Sequence, residues 1–98
     1  FLAREGQTNN LIMVKFLPFF VTRIPLNFRA DLCLPFADGF ICANQWGNIA
    51  FLSGDGEYLG ETNLGIFICA IAPLGDDKIM VLTEEREMQW GKIYEVNR

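Results

Sequence analysis

Short runs of apolar and β-branched residues follow one another along the whole chain, separated at short intervals by Pro, Gly, Asn and Asp. Such runs bounded by turn residues predict strands rather than helices. The expected strands cover residues 11–15, 19–24, 30–34, 40–44, 49–52, 57–60, 66–72, 78–83 and 92–96. Pro18, Pro35 and Pro73 are expected to end the strands before them, because proline removes a ladder donor. Ala37-Asp38-Gly39, Ser53-Gly54-Asp55-Gly56 and Gly75-Asp76-Asp77 read as hairpin turns, where Asp and Gly adopt the needed backbone cheaply. The stretch 66–72 does not alternate apolar with polar, which predicts a strand buried on both faces. On that reading Phe67→Asp would strand a charge in the core and destabilise the fold.

The pattern also repeats. Pro35 and Pro73 stand 38 residues apart, and the same offset pairs Asp38 with Asp76 and Ile41 with Ile79. It also pairs Leu26 with Leu64, Phe28 with Ile66, Phe20-Val21 with Tyr58-Leu59, and the segment 10–14 with 48–52. Trp46-Gly47-Asn48-Ile49 matches Trp90-Gly91-Lys92-Ile93 at an offset of 44, so six extra residues fall before Trp90. Those residues, 84–89, are charged and polar, as an exposed hairpin insertion should be. A unit of about forty residues with four short strands is the size of one propeller blade. Blades are covered by neighbours on both faces, which accounts for the non-alternating strands.

The run from Gly47-Asn48-Ile49 through Ser53-Gly54-Asp55-Gly56 to Tyr58-Leu59 resembles the signature of NHL-type and gluconolactonase-type propellers. Trp90-Gly91-Lys92-Ile93-Tyr94-Glu95-Val96 has the same shape and also resembles the third strand of a WD-repeat blade, although no Gly-His or Trp-Asp pair is present. The resemblance implies an all-β fold of antiparallel four-stranded blades. The chain would enter at a third strand and hold a part blade (9–24), a full blade (28–62) and a second part blade (66–97). About two blades of a β-propeller cannot close a ring of roughly four to eight. The unit is therefore expected to be incomplete without further blades or subunits. The first residues, Phe1-Leu2-Ala3-Arg4-Glu5, carry no initiator Met or signal-like apolar core, and the expectation is a chain that is processed, truncated or cut from something larger.

Composition narrows the chemistry. The 98 residues are 51% hydrophobic and 20% charged, more apolar than a free-standing small domain with about 25% charge. Inter-blade surface would account for the excess. The longest nearly uncharged apolar run, 16–21, contains Pro18 and is far short of the ~20 residues of a membrane span. Net charge is −4 and the basic residues are scattered, which excludes the clustered footprint of a nucleic-acid binder. No histidine and one serine exclude a Ser/His/Asp or Cys/His catalytic set within the chain. Cys33, Cys42 and Cys69 have no Cys-x-x-Cys spacing and read as small buried hydrophobes, favouring a reducing, cytoplasmic setting. No cofactor, metal site or catalytic residue is expected from these counts.

Binding residues are sought in the loops 35–39, 44–48, 60–65 and 84–90. Trp46 and Trp90 occupy matching places before a glycine; each either packs between blades or serves as an exposed anchor for a partner. Asn44, Glu84 and Arg86 complete the candidate set, while Glu84, Glu85 and Glu87 otherwise read as a solvated hairpin tip. Asp38 and Asp55 read as turn formers. The functional expectation is a non-catalytic scaffold for protein partners or for the remaining blades. One alternative is part of a metal-dependent, gluconolactonase-like propeller hydrolase, with Asp31 as the one acidic residue on the innermost strands. The other is a blade pair that oligomerises into a ligand-binding ring.

Overall fold

Turn chemistry at short intervals cuts the chain into hairpins. The computed structural model describes residues 1–85 and 88–96. Among them ten strands form three antiparallel sheets: β1 (Leu2–Arg4), β2 (Asn10–Phe16) and β3 (Phe19–Pro25); β4 (Leu32–Phe36), β5 (Gly39–Ala43), β6 (Asn48–Leu52) and β7 (Tyr58–Asn63); β8 (Ala70–Leu74), β9 (Lys78–Glu85) and β10 (Met88–Glu95). Each sheet is a simple meander in chain order.

The three sheets stack face to face, with the β4–β7 sheet in the middle. Alternation along its strands serves both of its neighbours. Cys42, Ala50 and Leu52 join Leu11, Met13 and Ile24 of the first sheet in one core. Ile41, Ala43 and Ile49 join Ile71, Ile79 and Val81 of the third in another. The central strands are therefore apolar at nearly every position because both of their faces are covered. Lys15 pairs with Asp55 of the β6–β7 turn, adding a polar tie between the first two sheets. In that turn the Ser53 hydroxyl accepts the Asp55 and Glu57 N–H groups; Asp55 lies in the turn, and the side chain that builds it is that of Ser53.

Several expectations are corrected. Pro35 and Pro73 lie inside β4 and β8 rather than ending strands. Both strands are sheet edges, where a missing N–H can face outward at no cost. Residues 66–69 are an irregular crossing between sheets, and only Ile68 in this crossing is fully buried, with Phe67 40% exposed. Phe67→Asp is thus not a core substitution. Of the three cysteines Cys42 is buried, Cys33 is half-buried and Cys69 is exposed, so the buried-hydrophobe reading fails at Cys69. β1 was not expected at all; its three residues pair with β2 at Leu11–Met13.

The 38-residue register also breaks inside the third sheet. The β4–β5 turn leaves two residues between Phe36 and its partner Gly39; the β8–β9 turn leaves three between Leu74 and Lys78. One residue more flips every later side chain to the other face. Ile41 and Ile79 consequently meet in the same core instead of pointing the same way along the stack. The β9–β10 pairing runs on to Glu85 and Met88, which draws Trp90-Gly91 into a strand. Trp46-Gly47 stays in the β5–β6 turn. The two Trp-Gly pairs do not occupy matching places.

Gly39 marks the tightest approach in the central sheet. A Cβ there would sit on the Leu52 carbonyl oxygen of the neighbouring strand, which is backbone and cannot swing away. Gly39→Ala is expected to lower stability by about 1–3 kcal/mol, the usual range for overpacking. A urea midpoint equal to that of the parent chain would contradict this packing.

Candidate binding groove

Antiparallel meanders put alternate loops at the same end of the stack. The loops 26–31, 44–47 and 64–69 therefore share one end, and 37–38, 53–57 and 75–77 the other. At the first of these ends lies a groove of about 460 Å³ lined by Arg29, Asp31, Asn44, Gln45, Trp46 and Cys69, with Leu32 and Ile68 at its base.

The β5–β6 turn is built from within. Asn44 is buried, and its Oδ1 accepts the N–H groups of Trp46 at 3.0 Å and Asn48 at 3.1 Å. Gly47 takes φ +95°, and a Cβ there would press on the Ile66 carbonyl oxygen at 2.8 Å. Asn63, at the end of β7, donates to the Asn48 side chain at 2.8 Å, while the Leu64 N–H of the next loop donates to the Gly47 carbonyl at 2.9 Å. The Ile68 N–H donates to the Gln45 carbonyl at 2.9 Å. A turn held by this many bonds presents one conformation.

Trp46 projects from that turn with 67% of its surface exposed. Its ring meets Phe67 edge to face, centroids 5.9 Å apart and planes at 80°. This contact restricts the indole and leaves most of it to solvent. Facing polar groups complete the groove. The Asp31 carboxylate accepts the Gln45 N–H at 3.2 Å and lies 3.7 Å from the Arg4 guanidinium. Arg29 donates to the Gln7 side chain at 3.1 Å.

Two of the residues singled out in the sequence, Asn44 and Trp46, thus meet in one place, with Asn44 shaping the turn and Trp46 offering the surface. Trp90 lies in β10 opposite Thr83, with the Lys92 ammonium 4.7 Å above its ring; it does not line the groove. Glu84 is exposed on β9, and Arg86 lies outside the described residues. Arg29, Gln45 and Cys69 were missed. The stretch 66–72 read as a continuous strand, which hid the crossing that forms one groove wall. Among the described residues no three Cys, Asp or Glu side chains come together in a set that could hold a metal ion.

No family model, curated protein or solved structure matches the chain. Among the described residues no helix is long and apolar enough to cross a membrane.

Proposed function

We propose that the chain is a segment of a β-propeller that acts as a non-catalytic binding scaffold, with the Trp46 groove as its contact surface for a protein partner. The stack of three meanders supports the propeller part of this reading. Asn10 opens β2 and Asn48 opens β6, the third strands of successive blades on this reading, and β5 and β6 of the central sheet are buried on both faces as the inner strands of an internal blade would be. The two outer sheets supply three strands each where a blade has four.

The observation that carries the binding part is a largely exposed tryptophan on a rigid turn. Such a side chain loses little entropy on contact, and Trp is the residue most enriched where binding energy concentrates. The adjoining carboxylate, amide and guanidinium groups offer both donors and acceptors to a peptide backbone.

Panning a random-sequence peptide library against the chain tests this. Binders are expected whose affinity falls at least about tenfold, or about 1.4 kcal/mol, in Trp46→Ala. The thermal midpoint of that variant should move by no more than about 4 °C, as for a surface change. A library whose binders are all indifferent to Trp46 would overturn the assignment of this groove.

A further inference from the structure

The chain carries a second chemical feature beside the groove, at a cleft that shares Asp31 and Leu32 with it. Cys33 on β4 and Cys42 on β5 are direct cross-strand partners. Cys42 belongs to the core between the first and central sheets, and Cys33 packs against it.

The ladder fixes how these two thiols face each other. The two-residue turn that joins β4 to β5 closes on Phe36 and Gly39, which makes that pair a hydrogen-bonded one. Alternation then makes Pro35–Phe40 a non-hydrogen-bonded pair, which suits a proline that has no N–H to offer. Two residues further along, Cys33–Cys42 is again non-hydrogen-bonded. At such pairs the Cα atoms stand about 4.5 Å apart and the side chains lie closest. That separation falls within the roughly 4.4–6.8 Å that disulfides span.

The environment separates the two sulfurs. A hydrogen bond from the Cys42 thiol holds Cys33 below the ordinary thiol range; burial opposes this, and the nearby Arg4 guanidinium assists it. Cys42 is pushed up by the same hydrogen bond first, then by burial and by the neighbouring thiolate. Cys33 is half-buried and opens onto a second cleft of about 320 Å³ lined by Leu2, Arg4 and Asp31, whereas Cys42 is closed off. One sulfur is thus reachable from the cleft and favoured toward the thiolate, and the other lies enclosed directly opposite it.

We propose that Cys33 and Cys42 form a peroxide-responsive dithiol, with Cys33 as the attacking sulfur and Cys42 as the resolving one. The Cys33 thiolate attacks hydrogen peroxide: an S–O bond forms, the O–O bond breaks, and the leaving hydroxide takes up a proton as water. Cys33 is oxidised to a sulfenic acid and the peroxide oxygen is reduced. The Cys42 sulfur then attacks the sulfenic sulfur: the S–S bond forms, the S–O bond breaks, and the hydroxide leaves as water with the Cys42 proton. Overall, two thiols and one peroxide give one disulfide and two waters. The disulfide would link the edge strand of the central sheet to its neighbour across the hairpin.

The test is to treat the reduced chain with millimolar hydrogen peroxide and to map it without reduction by mass spectrometry. A Cys69→Ser chain is expected to lose the mass of two hydrogens, to yield a linked Cys33–Cys42 peptide, and to regain the mass with dithiothreitol. In Cys42→Ser, dimedone should label Cys33 as a trapped sulfenic acid. A linkage that runs through Cys69 in the parent chain, dimedone labelling at Cys42 in a Cys33→Ser chain at an equal rate, or oxidation confined to Cys69 would each overturn the proposal. Circular dichroism of every variant shows whether the fold is retained, and the unsubstituted chain gives the same linkage readout without any substitution.

Discussion

Ile68→Asp is expected to prevent the chain from folding, whereas Phe67→Asp, one residue earlier, is expected to be tolerated. Ile68 is 4% exposed and sits in the core with Ile41, Ala43, Ile49 and Ile71. A carboxylate there would have no cationic partner within that apolar cluster. Removing a charge from water without a partner costs several kcal/mol even after local relaxation. Total stability for a domain of this size is about 5–15 kcal/mol, so one such change consumes most of it. Phe67 lies in the same irregular crossing, but it is 40% exposed and its ring meets that of Trp46 edge to face. Replacing it should cost about 1 kcal/mol, the ordinary loss of a point substitution. Far-ultraviolet circular dichroism and thermal unfolding of the two variants give the comparison. Equal destabilisation would mean that 66–69 is a buried strand after all.

The isolated chain is expected not to persist as an 11.1 kDa monomer. Both terminal sheets turn an apolar face outward. On the first, Ala3, Ile12, Val14 and Val21 share the face away from the core, and Val21 is 56% exposed. On the third, Ala70, Ala72, Met80, Leu82 and Ile93 do the same, and Ile93 is 63% exposed. The accessible surface of 6179 Å² exceeds the roughly 5,700 Å² of a compact monomer of this mass. The radius of gyration is 13.7 Å where about 12.6 Å is usual. The central sheet indicates what covers such faces, since a similar sheet lies on each side of it. Sedimentation should therefore show concentration-dependent association, and Val21→Lys with Ile93→Lys should suppress it by desolvating charge at each outer face. A folded monomer, stable across the accessible concentration range, would sink the propeller reading.

Part of the candidate groove was legible in the order of residues. Asn44, Trp46 and Gly47 lie between two apolar runs, and the Asn-x-Trp-Gly-Asn turn starts from a local device, the Asn44 side chain accepting the Trp46 and Asn48 N–H groups. The opposite wall was not legible. Arg29, Asp31 and Cys69 come from two other loops, and their approach to Trp46 depends on how sheets stack and on a crossing at 66–69 that apolar composition disguised as a strand. Trp90 illustrates the reverse error: a matching dipeptide landed in a different place because the hairpin before it was longer.

The dithiol pair shows the same division at a finer scale. Nothing in the spacing of Cys33 and Cys42 distinguishes opposite partners from diagonal ones. The two-residue turn between β4 and β5 sets them face to face, and a turn one residue longer would have turned one of them away, as happened to Ile79.

Strand identity, the antiparallel all-β class and the positions of most turns were determined by the sequence alone, because each depends on residues a few places apart: apolar runs of strand length, and Gly, Asp, Asn and Pro at the breaks. Which faces are buried, which prolines lie inside edge strands, which tryptophan is exposed and which cysteines meet were decided only by the tertiary structure. Those outcomes turn on single-residue differences in hairpin length, amplified by the two-residue period of a strand, and on neighbouring sheets that no local pattern encodes.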